Sequence, residues 1–475
     1  MDKAAVLKKY LIQQYKIVGG ASLLLLIGLV LLVSMNSQEQ NLKSLAAGST
    51  TIEPENGTLT GNVTVVNDTN ASGGKYVRFG SSSPVYYFGT LMTDVPHAEE
   101  ESNAGVKNAM IEIFWDRYET ADGQFNTTYA NQVKNDFNAL RAAGMQVTLA
   151  TSLHTPPAWV FTYPNSRFVN QSGATAGEVN LIFNQVLRQK AERYFDRIHQ
   201  DLGIQNFWAI RLTSGGDAEL LYPGGGSYWA YDVNAQNGAN MPPSMPRNPY
   251  PGWKPGQQTY NGQAFTTSQV GQWADWYVRA LANTVDWQRG KFDSLGFRGY
   301  YQILTPGSGS RPSYYQNDIN NYLPNGITGV GAVWHKLYEY IPRQRTVAYV
   351  SSMADHSGSD DSCQTTDRSV PLTSTTANSW SATRWVSRIA DEYGLIKNGE
   401  NVGYNAPPEY NSFYVDTSPN GMMATSFRQM KSCGFQGMYW AHSFRLWDGT
   451  VPFSNYAGHI SQTNNGANPT PPMPQ

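Results

Sequence analysis

The chain has 475 residues, of which 40% are hydrophobic, 13% aromatic and only 15% charged, with a formal net charge of −2. So low a charge content excludes a self-repelling disordered chain, and the lack of any long basic run beyond the N-terminus excludes an electrostatic footprint for nucleic acid. Two cysteines exclude a disulfide-dense scaffold and a cysteine-rich metal site, while 13 Trp and 29 Tyr provide more flat, polar-edged rings than a core needs.

Residues 1–16 are basic, with Lys3, Lys8, Lys9 and Lys16, and residues 17–35 run without a charge. That length and lysine asymmetry predict a transmembrane signal-anchor helix with the N-terminus in the cytoplasm and the bulk of the chain outside. The competing expectation is a secreted chain released by cleavage near Leu45–Gly48. Residues 36–83 read as a linker. Within it, residues 52–79 alternate like strands between Asn-Gly, Gly-Asn and Gly-Gly breaks.

From residue 84 to 456, short apolar runs alternate with longer amphipathic ones. The expected strands are Val85–Gly89, Ala109–Phe114, Gln146–Thr151, Phe207–Leu212, Gly299–Ile303, Thr346–Val350, Leu395–Gly399 and Gly437–Ala441. Eight strands alternating with helices predict an α/β fold, a (β/α)8 TIM barrel. Helices are expected over Asn131–Ala143 and Val179–Leu202, with apolar residues at helical spacing, and over Val270–Trp287, rich in Trp and Ala. Residues 221–268, rich in Pro, Gly, Asn and Tyr, predict a loop over the barrel mouth. Residues 457–475 read as a flexible tail.

In such a barrel the chemistry sits where strands end. The candidates there are Trp115 and Arg117 after strand 2, His154 and Trp159 after strand 3, and Glu219 and Tyr222 after strand 4. Asp355 follows strand 6, Glu400 and Asn401 follow strand 7, and Trp440, His442 and Arg445 follow strand 8. Rings that stack on the C–H faces of sugars, with polar groups that pair with hydroxyls, predict a carbohydrate substrate. No phosphate-cradling Gly loop or nucleophile elbow occurs, and the seven histidines show no tight ligand spacing, so neither a cofactor nor a metal is expected. Glycosidic cleavage needs one protonated and one ionised carboxyl group across the scissile bond. Glu219 and Glu400 are the expected pair, with Glu409 a rival to Glu400 and Glu112 structural. Arg117 is expected either to orient Glu400 or to pair with Glu119 or Asp116. Cys363 and Cys433 fall on opposite ends of the barrel, about 17 Å apart along a strand, and predict two free thiols unless the long loop after strand 6 folds back.

Short motifs carry family resemblances. The segment Gly215-Gly216-Asp217-Ala218-Glu219-Leu220-Leu221-Tyr222-Pro223 resembles the catalytic-acid motif of glycoside hydrolase family 14, the β-amylases, and Gly399-Glu400-Asn401 is similar to that family's catalytic-base motif. The resemblance implies Glu219 as general acid and Glu400 as its partner, and favours inversion. Trp115-Asp116-Arg117-Tyr118-Glu119, Gly123-Gln124-Phe125 and Thr155-Pro156-Pro157-Ala158-Trp159 resemble motifs of family 42, the barrel β-galactosidases; Ala218 stands where that family has Asn before its acid/base. Residues 52–79, above all Asn70–Val77, resemble the opening strands of jelly-roll carbohydrate-binding modules, as a fragment too short to be a sandwich. The resulting expectation is a membrane-anchored, extracytoplasmic glycosidase. The alternatives are a non-catalytic glycan-binding barrel and a transglycosylase using the same carboxylates.

Overall fold

The computed structural model describes residues 63–68, 71–79, 84–355 and 362–474. The chain divides into two units, 1–84 and 85–475. In the first, Val63–Asn67 and Lys75–Phe79 pair antiparallel, joined through a turn at Ser72–Gly74. This is the strand-rich part of the expected linker.

In the second unit the eight strands close into a parallel barrel in sequential order. They are β1 (Tyr87–Thr90), β2 (Val106–Glu112), β3 (Gln146–Ala150), β4 (Ala209–Leu212), β5 (Tyr300–Thr305), β6 (Thr346–Met353), β7 (Ile396–Asn401) and β8 (Gly437–Trp440). All eight coincide with the expected strands to within a few residues: burial on both faces leaves a mainly apolar run in most of them, while β7 (Ile396-Lys397-Asn398-Gly399-Glu400-Asn401) is buried but largely polar. The helices that return the chain are α1 (Ala98–Asn103), α2 (Thr127–Ala142), α3 (Gln185–Leu202), α4 (Thr267–Ser294), α5 (Trp334–Tyr340), α6 (Ala382–Tyr393), α7 (Met422–Ser432) and α8 (Phe453–Thr463).

One helix start differs from expectation. Residues 175–179 form a strand paired with Arg167–Val169, and α3 begins only after Asn184, whose side chain caps Val186 N and Leu187 N. The cap oxygen supplies acceptors for the first free N–H groups, so the boundary follows the Asn and not the apolar periodicity. The start of α4 is fixed in the same way, by a capping box between Thr266 and Gln269.

The insertion 221–268 builds an aromatic block against α4. Tyr222 stacks on Tyr277 at 4.0 Å, and Trp253 packs on Phe265 and Trp273 at 4.6 and 5.4 Å. The C-terminal stretch runs along the end where the strands begin: Asn464 bonds both N and O of Tyr86, and Trp208 Nε1 donates to Pro472 O.

Two expectations are corrected. No helix among the described residues is long and apolar enough to cross a membrane. The single-pass, membrane-anchored localisation therefore does not stand, and the stretch 17–35 on which it rested lies outside the described residues. The second concerns the cysteines, which form a Cys363–Cys433 disulfide with Cα atoms 4.9 Å apart. Cys363, beyond β6, lies at the C-terminus of α7, where its N donates to Ser432 Oγ. The buried Arg384–Asp367 pair, with contacts of 2.7 and 2.8 Å, anchors the segment after Cys363 to α6.

Candidate active site

The ends of the strands surround a cavity of about 530 Å³. Its floor is a buried cluster that includes Leu91, Met110, Ala150, Leu304 and Ala441 from the strand ends, backed by Tyr349 and Tyr439. Glu219 and Glu400, the two carboxylates singled out by motif, both line this cavity.

Their settings differ. Glu400 ends β7 and is 7% exposed. Arg211, on β4, holds it through two contacts of 2.8 and 3.2 Å, and the Tyr349 hydroxyl on β6 donates to it at 2.7 Å. Arg211 also lies 5.0 Å from the centre of the Tyr349 ring. Three parallel strands thus converge on one carboxylate, and the guanidinium supplies its countercharge. Burial and this environment push the Tyr349 hydroxyl far above its ordinary range, so it acts as a donor.

Glu219 sits on the loop after β4. Gly215, at φ +81°, turns that loop, and Ser214 Oγ bonds Leu221 O across its base. A Cβ on Gly216 would come within 2.8 Å of Leu221 O, so the turn is closed tightly on itself. Asp217 Oδ1 accepts from Glu219 N at 3.3 Å. Burial of the Glu219 carboxyl, with the neighbouring charges of Glu400 and Asp217, pushes its pKa up to about 8, against the opposing pull of Ser351 and Arg211. At neutral pH this carboxyl keeps its proton.

The remaining candidates divide. His154, Asn401 and His442 line the cavity with the two carboxylates. Burial lowers the pKa of both histidines, which favours neutral rings that can donate and accept. Asn401 Oδ1 accepts from Ala441 N at 2.8 Å and so ties the ends of β7 and β8 together.

Trp115, Arg117, Trp159, Tyr222, Asp355, Trp440 and Arg445 do not line the cavity. Trp115 is fully buried; its Nε1 donates to Glu119, whose backbone oxygen accepts from Trp159 Nε1. Arg193, not Arg117, pairs with Glu119; Arg117 lies over the Phe114 ring. Tyr222 is buried with its hydroxyl on Tyr277 O and anchors the Glu219 loop from behind. Trp440 is a core residue packed on Tyr414 and Tyr456. The Asp355 carbonyl accepts from Tyr410 Oη, and Arg445 pairs with Asp448. Glu409 is exposed and outside the cavity, and no residue of 221–268 lines it.

Sequence reasoning missed Arg211, Tyr349 and Glu112. Glu112 lines the cavity and accepts from Ser152 Oγ at 2.6 Å. A charged Arg211 inside an otherwise apolar strand was the available signal, since such a residue is buried only with a partner. Among the described residues no group of three or more His, Cys, Asp or Glu side chains is placed to hold a metal ion.

Comparison with known proteins agrees with this architecture. The model of glycoside hydrolase family 42, described as β-galactosidase, matches residues 96–204. That span runs from α1 to α3 and ends before both carboxylates. The catalytic domain of β-amylase from Paenibacillus polymyxa superimposes with a TM-score of 0.55 at 16% identity, covering 80% of this chain and 99% of that one. β-Galactosidases from the psychrophilic Marinomonas ef1 and from the Antarctic haloarchaeon Halorubrum lacusprofundi give TM-scores of 0.51 and 0.50 at 13% and 12% identity, each covering 80% of this chain. The chain spans only 59% and 58% of the length of those two proteins. No curated protein sequence matches significantly. The chain has a glycoside hydrolase-like TIM-barrel fold, as the motifs led one to expect.

Proposed function

We propose that this chain is a glycosidase that cleaves O-glycosidic bonds of an oligo- or polysaccharide, with Glu219 as general acid and Glu400 as its partner. One observation carries the reading: two carboxyl groups line a single cavity in opposite electrostatic settings, one pushed up to about pH 8 by burial and neighbouring acids, the other clamped by Arg211 and Tyr349. A group poised near the working pH both holds a proton and gives it up readily, which is what a departing glycosidic oxygen requires. Glu400, with its countercharge fixed behind it, faces the developing positive charge of an oxocarbenium-like transition state. His154 and His442, neutral rings in the cavity wall, would orient sugar hydroxyls. The β-amylase-like motifs favour inversion, with Glu400 activating a water.

The test is a panel of α- and β-linked glucan and galactan oligosaccharides incubated with the parent chain and with Glu219→Gln. Hydrolysis by the parent and its loss in the variant are expected. Binding of these glycans without turnover by the parent would contradict the reading and leave a glycan-binding barrel. The anomer formed first, followed by proton NMR, separates inversion from retention. Added sugar acceptors separate hydrolysis from transfer.

A further inference from the structure

A separate cavity of about 480 Å³ lies against the Cys363–Cys433 bridge. It is lined by α6, by the C-terminal end of α7, by the segment from Cys363 to Arg368 and by Lys397, the second residue of β7. It shares no residue with the cavity that holds Glu219 and Glu400.

The wall of this cavity is basic. Among the described residues five cations line it, Arg368, Arg384, Arg388, Lys397 and Lys431, against the two carboxylates Asp367 and Asp391. Glu392, outside the wall, neutralises one more charge by pairing with Arg388 at 2.8 Å. An excess of two positive charges remains.

Donors remain as well. Asp367 takes Arg384 through both of its oxygens. Asp391 is shared by Arg368 and the buried Lys397. Lys397 uses two of its three N–H groups, on Asp391 at 2.9 Å and on Ser387 Oγ at 3.0 Å. The Lys431 ammonium has no hydrogen bond or ion pair among the described residues. These cations also repel one another: burial and the charge of Arg368 hold Lys397 below its ordinary range, against the pull of Asp391. An anion in the cavity would relieve that repulsion. A halide or a carboxylate carries one charge. A tetrahedral oxyanion with two charges matches the excess, and its several acceptor oxygens suit a mixture of guanidinium forks and ammonium groups.

We propose that this cavity binds a doubly charged tetrahedral oxyanion, a phosphate group that is either free or carried as the monoester of a small molecule. The site stands independently of the glycosidase reading, and its ligand does not reach the two catalytic carboxylates.

The test is calorimetric titration of the full chain, at constant ionic strength and about pH 7.5, where a phosphate monoester carries close to two charges. The titrants are inorganic phosphate, glucose 6-phosphate and, as controls, chloride and acetate. Saturable binding of phosphate or its ester at a single site is expected, with far weaker binding of the controls. Arg368→Ala and Lys431→Ala, both exposed side chains whose loss leaves the core intact, should each weaken that binding about tenfold. Arg298→Ala, which removes an exposed cation just before β5 and outside this cavity, should leave it unchanged.

Tighter binding of glucose 6-phosphate would support the site and identify an ester as its ligand; tighter binding of phosphate would support it and identify the free ion. Absence of saturable binding, chloride or acetate binding as tight as phosphate, retained affinity in the Arg368→Ala/Lys431→Ala double variant, or an equal loss in Arg298→Ala would overturn it. None of these results bears on whether glycans are cleaved, so the site and the glycosidase reading fail separately.

Discussion

The strand end that carries Glu400 and the loop that carries Glu219 face one cavity but are built in opposite ways. Glu400 belongs to a barrel strand and is fixed by side chains from two others, Arg211 and Tyr349. Glu219 stands on a turn closed by the Ser214 hydroxyl and anchored from behind by Tyr222, where burial and the charges of Glu400 and Asp217 outweigh the pull of Arg211. One arrangement accommodates negative charge and the other resists it. A barrel can therefore differentiate two chemically identical groups by the element on which each is placed.

The comparison breaks first at the carboxylates. Glu400→Gln should lower kcat by about a thousandfold or more on every substrate, because it removes the carboxylate that Arg211 and Tyr349 hold in the cavity. Glu219→Gln should cost about a hundredfold or more on oligosaccharides but far less on nitrophenyl glycosides, whose leaving group needs no proton. Steady-state kinetics on both substrate types check these outcomes, and an equal loss on the two types would contradict the acid role.

The next effect concerns stability. Arg211→Met removes the partner of a buried charge and should destabilise the fold by about 3–5 kcal/mol in denaturant unfolding. Glu219→Gln should act in the opposite direction. Its folded pKa, about 8, stands above the ordinary carboxylate value of 4.5. The unfolded chain thus gives up this proton first as pH rises, and stability is lost progressively between about pH 4.5 and pH 8. The variant should therefore melt higher than the parent at pH 8 and equally with it at pH 4.

Smaller effects follow from pH and redox state. The basic limb of kcat/KM should fall through about pH 8 in the parent, and that limb should disappear in Glu219→Gln. Reduction of Cys363–Cys433 should lower the melting temperature while leaving kcat at 25 °C within about twofold, since the bridge itself lies at the C-terminus of α7, at the end of the barrel opposite the cavity.

Much of this was legible in the sequence. Most of the eight strands declare themselves because both faces are buried, and the two Glu motifs fall at strand ends. The aromatic motifs misled for a physical reason. Trp115, Glu119 and Trp159 lock the loops after β2 and β3 to each other beneath the rim, and a sequence pattern does not distinguish an interlock from a binding face. Arg211 and Tyr349 were missed because a strand-interior residue reveals its partner only once the barrel closes. The disulfide was missed because the segment after Cys363 is anchored by the Arg384–Asp367 pair, which strand-to-strand geometry does not capture.

The most direct measurement is a carbon-13 NMR titration of glutamate side-chain carboxyls in the parent chain and in Glu219→Gln. The account predicts one carboxyl resonance that titrates near pH 8 in the parent and is missing from the variant. If every glutamate of the parent titrated in the ordinary range near pH 4–5, Glu219 would carry no proton at neutral pH, and the division of labour between the two carboxylates would be wrong.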